Sequence, residues 1–137
     1  MGSRKSSTLD GVKVVIVEDD PSDAKRVFVC LTDAGCNVRI ARNALEALAV
    51  TALFDPKLMV IDLVLPGHSG LVLAAHLRKE AATRTTILVA TTSLNDEADR
   101  IAHEAGFVAC LRKPIDLRAL RELVQTHASR QGRGGHR

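Results

Sequence analysis

KVVIVEDDP, residues 13–21, decides the fold. Four branched apolar residues, Val14 to Val17, run without a polar break and stop at Glu18-Asp19-Asp20-Pro21. A continuous apolar run this short suggests a strand covered on both faces. Pro21 can open a helix at its first turn. Ala24, Val27, Phe28 and Leu31 then recur at helical spacing, and Gly35 ends the helix.

The same alternation continues along the chain. Asn37–Ala41 reads as a second strand, and a second helix over residues 44–53 closes before Asp55-Pro56. Residues 58–61 (LMVI) form a third buried strand that stops at Asp62. Pro66-Gly67 is a turn signal. A third helix is predicted over 69–80, a fourth strand over 87–90 and a fourth helix over 96–105. A fifth strand over 108–111 runs into Arg112-Lys113-Pro114, and a last helix spans 116–127. Five strands alternate with five helices, with no internal hairpin signal. That pattern implies right-handed βαβ crossovers and a parallel sheet covered on both faces.

Composition excludes several function classes. The length of 137 residues fits one domain. Three Phe, no Trp and no Tyr argue against a base-stacking nucleic-acid platform. No apolar run approaches the roughly 18 residues of a membrane span, and the polar start lacks the apolar stretch of a secretory signal. The net charge of +3 is carried by the ends: Arg4, Lys5, Arg130, Arg133 and Arg137 are five of nineteen basic residues. Residues 10–129 keep 14 basic and 16 acidic groups, so the folded part is slightly acidic and offers no basic nucleic-acid surface. Cys30, Cys36 and Cys110 are odd in number and lack a CxxC spacing, which reads as free thiols in a reducing cytoplasm. The expected division is a disordered leader at 1–9, a domain at 10–128 and a basic disordered tail at 129–137.

Chemistry concentrates at the carboxyl ends of the predicted strands. The first ends in Glu18, Asp19 and Asp20, the third in Asp62, the fourth in Thr91 and the fifth in Lys113. Sites in open α/β sheets form in the crevice outside those ends. Clustered carboxylates repel unless a cation joins them, and an all-oxygen donor set selects a hard ion, Mg2+ above all. A carboxylate beside Mg2+ can take a phosphoryl group as an acyl phosphate. The ion, Lys113 and Thr91 can each share the charge on its three oxygens.

On VIVEDDP (15–21), MVIDLVLPGHSG (59–70), LVATTS (88–93) and CLRKP (110–114), the chain resembles the receiver domains of two-component response regulators, chemotaxis regulators among them. The resemblance covers about residues 10–127. It implies a flavodoxin-like doubly wound (βα)5 fold with strand order 2-1-3-4-5. It implies Asp62 as phosphoacceptor and a Mg2+ site made of Glu18, Asp19, Asp62 and the backbone carbonyl of Val64, with Asp19 binding the ion directly and Glu18 directly or through water. Thr91 becomes the switch hydroxyl, Lys113 the partner of a phosphoryl oxygen, and the bond to Pro114 is expected to be cis. Asp20 reads as a solvated helix-start residue.

Departures from the family pattern are local. Cys110 stands where an aromatic rotamer partner is usual, and Thr92 where a very small residue is usual. Counting back from Lys113 favours Thr91 over Thr92 as the switch. Val64, two residues past Asp62, can hinder hydrolytic water, so slow self-dephosphorylation is expected. His68 reads as an exposed loop residue and His76 and His103 as helix-surface residues, so none is presented as a phosphodonor.

The resemblance implies a cytoplasmic, non-enzymatic switch that receives phosphate from a histidine kinase or histidine phosphotransfer protein. Output would pass through the face of the fourth helix, fifth strand and fifth helix to a protein partner, without nucleic acid or membrane. Two other readings are a degenerate receiver that binds partners without phosphorylation, and an aspartyl-nucleophile phosphatase. The second lacks a general acid, since Val64 occupies that position.

Overall fold

The computed structural model describes residues 8–93 and 97–129. The elements run β1 (Lys13–Val17), α1 (Pro21–Asp33), β2 (Asn37–Ala41), α2 (Ala44–Phe54), β3 (Leu58–Asp62), β4 (Val64–Leu65) and β5 (His68–Ser69). They continue with α3 (Gly70–Lys79), β6 (Ile87–Thr92), α4 (Glu97–Glu104), β7 (Ala109–Arg112) and α5 (Leu117–Ala128). β2, β1, β3, β6 and β7 form one five-stranded sheet in that order, and every pairing is parallel. With the two-residue strands β4 and β5 left aside, this is the predicted order 2-1-3-4-5.

The central strands β1, β3 and β6 are apolar on both faces because each face packs a layer of helices. Val15, Val17, Met59, Ile61, Leu88 and Ala90 pack with residues of α2, α3 and α4, including Ala47, Leu73, Leu77 and Ala102, and with Phe107. Val14, Ile16, Leu58, Val60 and Val89 pack with Val27 and Leu31 of α1 and Leu120 and Val124 of α5. Alternate residues of one strand serve opposite layers, as a pleat requires. A fully buried Leu such as Leu77 or Leu120 contributes roughly 1.5–3 kcal/mol. Local signals fix the helix starts: the side chains of Asp20, Asn43, Ser69 and Asp116 each cap the helix that follows.

Three expectations change. No hairpin is expected from the sequence, yet Val64–Leu65 pairs antiparallel with His68–Ser69 around Pro66-Gly67, with Gly67 at φ +79. Two-residue strands are too short to show an alternating pattern, so only their turn was visible. The leader was expected at 1–9, yet Leu9 is fully buried in the α1/α5 layer and Thr8 bonds Gln125. One apolar residue beside Asp10-Gly11 is too weak a pattern to read. The third and fourth strands run further than their apolar stretches, through Asp62 and Thr92, because ladder bonding continues into the polar residues. Residues 1–7, 94–96 and 130–137, which hold most of the expected leader and tail and the expected start of α4, lie outside the described residues.

Gly70, the first residue of α3, sits against the end of β3. A Cβ there would lie 2.3 Å from the Asp62 carbonyl oxygen and 2.9 Å from the Leu63 Cα. Both are backbone atoms, so the overlap cannot be relieved by turning a side chain. Gly70→Ala should lower unfolding free energy by about 1–3 kcal/mol, measured by urea denaturation. An unchanged midpoint would show that α3 can shift freely against β3.

Candidate phosphoacceptor site

Strand parity gathers the site. Glu18 follows Val17, Asp62 ends β3, Thr91 lies within β6 and Lys113 follows Arg112. Asp62 and Thr91 are register partners, so their side chains leave the same face of the sheet, while that of Thr92 leaves the other. Backbone bonds hold the three ends together: the Leu63 N–H donates to the Thr91 carbonyl at 2.9 Å, and the Lys113 N–H to the Thr92 carbonyl at 2.8 Å.

Lys113 is the centre of the cluster. Its ammonium lies 2.7 Å from Asp62 Oδ2, 2.8 Å from Glu18 Oε1 and 3.3 Å from Asp23 Oδ2. The second oxygens of the two buried carboxylates meet backbone donors. Asp62 Oδ1 accepts from the Val64 N–H at 2.9 Å, and Glu18 Oε2 accepts from the Asp20 N–H at 3.0 Å. Glu18 and Asp62 are buried, Asp19 is exposed at the rim, and carboxylate oxygens of the three lie within 4.8 Å of one another.

The electrostatics divide unevenly. Burial pulls the Lys113 ammonium down, but hydrogen bonds and charges from Asp62 and Glu18 more than reverse this, and its pKa stands well above the ordinary lysine range. Glu18 is raised: burial outweighs the hydrogen bond from Lys113 and the amide of Asp20, and the charge of Asp62 adds to the rise. Lys113 contacts three acids, Asp62, Glu18 and Asp23, and Asp19 lies beside two of them. The three-carboxylate cluster offers only oxygen donors and an excess of negative charge, which suits a hard divalent ion and fits Mg2+.

The other expected positions fall as follows. Thr91 and Thr92 are both buried. Val64 is exposed, and its amide, not its carbonyl, makes the recorded contact with Asp62. The Lys113-Pro114 bond is cis. Cys110 is half-buried on the α4 side of β7, its thiol pushed up by burial and then by Asp99. Asp20 caps α1, with its side chain accepting from the Ser22 N–H. His68, His76 and His103 are exposed, and Cys30, Cys36 and Cys110 are free. Among the described residues, no helix is long and apolar enough to cross a membrane.

One residue was missed. Asp23, in the first turn of α1, is the third carboxylate on Lys113. A signal existed, because a helix that opens immediately after the acid pair must keep its first turn at the same rim.

A doubly wound five-stranded domain with acids and one lysine at its strand ends is the signalling receiver class. The chain belongs to the response regulator receiver domain family, whose model matches residues 14–125. It is 35% identical over 121 residues to the "Uncharacterized 14.6 kDa protein in sodA1 3'region" of Leptolyngbya boryana, covering 88% of this chain and 92% of that one. A putative response regulator from Chloroflexus aurantiacus superimposes with a TM-score of 0.81 at 29% identity, covering 85% of this chain and 97% of that one. The chemotaxis response regulator CheY4 of Vibrio cholerae does so with a TM-score of 0.79 at 25% identity, covering 85% and 98%. Two longer curated regulators match over 54% and 51% of their own lengths.

The raised Glu18 carries a pH signature. A folded pKa above the unfolded value means the native state holds more protons, so this group's stabilising contribution falls as pH rises. The fall begins near the ordinary value of 4.5 and ends above the raised native value. Glu18→Gln should remove that slope and make the metal-free protein more stable than the parent at pH 7. Urea midpoints from pH 4 to pH 7, run with chelator, check this; parallel profiles would rule it out.

Proposed function

We propose that this receiver accepts a phosphoryl group on Asp62 from a histidine kinase or histidine phosphotransfer protein and thereby switches a protein-binding surface. The observation that carries the reading is the 2.7 Å contact between Lys113 Nζ and the buried Asp62 Oδ2, beside the carboxylates of Glu18 and Asp19. An Asp62 oxygen attacks the donor phosphorus, an O–P bond forms, the N–P bond breaks and its electron pair returns to the donor imidazole. Glu18, Asp19, Asp62 and the Val64 carbonyl would hold Mg2+, which when bound neutralises charge on the transferring group. Lys113 donates to one phosphoryl oxygen. Thr91, on the same face as Asp62, supplies a hydroxyl to another.

Asp62 then carries about one further negative charge, which draws the end of β6 inward. The reading places output on the α4–β7–α5 face, where Ile101 and Val108 are partly exposed. Val64 stands where an aspartyl phosphatase carries its general acid, so turnover of substrates is not part of the proposal.

Incubation with Mg2+ and acetyl phosphate should add one phosphoryl group by intact mass. The gain should vanish with chelator and in Asp62→Asn. A phosphoryl group retained in Asp62→Asn would move the acceptor elsewhere, and no gain with Mg2+ bound would favour a phosphorylation-independent binding module. The exposed apolar side chain of Val64 offers no hydrogen bond to a hydrolytic water, so the phosphorylated protein should decay slowly. Val64→Asn should shorten its half-life several-fold, followed by mass after donor removal; an unchanged half-life would acquit Val64.

A further inference from the structure

Lys113 is shared among three carboxylates. An ammonium carries three protons, and three carboxylate oxygens face it, from Asp62, Glu18 and Asp23. A phosphoryl oxygen would compete with them for the ammonium. The bonds to Asp62 and Glu18 are short, and those side chains are only 8% and 5% exposed. The contact with Asp23 is longer, at 3.3 Å, and its side chain is 27% exposed. It is therefore the contact most readily exchanged.

Asp23 is also fixed in place. Pro21 and the Asp20 cap set the first turn of α1, and the Asp20 amide is itself bound by Glu18. The helix that carries Asp23 is thus tied to the carboxylate that shares Lys113 with it. A charge at this position acts in opposite senses on the two species the site receives. It attracts a divalent cation and repels an incoming phosphoryl dianion.

We infer that Asp23 is a positioning residue: it latches Lys113 in the resting site, favours retention of Mg2+ and holds back phosphoryl capture. The inference rests on the reading of Asp62 as phosphoacceptor. Its role is to set the rate at which this receiver is charged.

The test compares wild type with Asp23→Asn, which keeps the shape and removes the charge, and Asp23→Glu, which restores the charge. In the metal-free protein, nitrogen-15 NMR of the lysine ammonium groups should show Lys113 exchanging with water faster in Asp23→Asn. By calorimetry, Mg2+ should bind about two- to fivefold more weakly, the range expected for one partly exposed charge. At saturating Mg2+, the initial rate of phosphorylation by acetyl phosphate should rise by about the same factor. Asp23→Glu should return all three readouts toward wild type.

A merely structural role would not split Mg2+ affinity and rate in opposite directions. If Asp23→Asn slows phosphorylation, or leaves Lys113 exchange and Mg2+ binding unchanged, the latch is wrong. If wild type takes no phosphoryl group, the reading of Asp62 fails by itself. Ammonium exchange and Mg2+ affinity then decide the resting latch: faster exchange with weaker binding supports it, and no change overturns it.

Discussion

One ammonium holds this site together. Lys113 reaches the buried carboxylates of Asp62 and Glu18 from a strand end 51 residues beyond Asp62. Two buried carboxylates without a cation would cost several kcal/mol, since desolvation and mutual repulsion act in the same direction. The lysine therefore belongs to the structure as much as to the chemistry. The attraction is incomplete, because Glu18 stays raised against the pull of Lys113. That residual imbalance leaves the rim with a standing demand for positive charge.

The parallel sheet is what brings these groups into reach. Parallel strands all end on the same rim, and the register pairs Asp62 with Thr91 and Val17 with Ile61. Face alternation then separates two tasks. Glu18, Asp62, Thr91 and Lys113 share the parity of the α1/α5 face. Thr92 and Cys110 share the parity of the α4 face. Gly70 lets α3 begin close enough to β3 that the Asp62 backbone is clamped from outside the sheet.

The architecture was legible because the central strands β1, β3 and β6 are short apolar runs and the helices carry their own stops or caps. Asp20, Ser69, Asp116 and Gly35 are local signals, and local signals survive without tertiary knowledge. The groups at strand ends were legible for the same reason. Features that depend on packing between distant segments were not. Leu9 is a single apolar residue whose burial requires α5. The rim position of Asp23 follows from the helix that opens after the acid pair, but its contact with Lys113, which arrives from the end of β7, does not. The β4–β5 pair is too short for periodicity, and Asp62 reads as a strand terminator although its backbone is part of the ladder.

Cys110 sharpens the question of how the site would speak to the surface. Its Cα pairs with Ala90, one residue before Thr91, and it packs against the α4 layer. A cysteine has no ring to swing between inward and outward positions, so a side-chain toggle there is not available. Two backbone bonds remain. The Thr91 carbonyl accepts from Leu63 and the Thr92 carbonyl accepts from Lys113, so the end of β6 is fastened to both neighbouring strands. Any inward pull on Thr91 must strain or carry those bonds, and the second ends on the lysine that binds the carboxylates. On the proposed reading, capture and transmission share one short piece of backbone, residues 91–92 and 113.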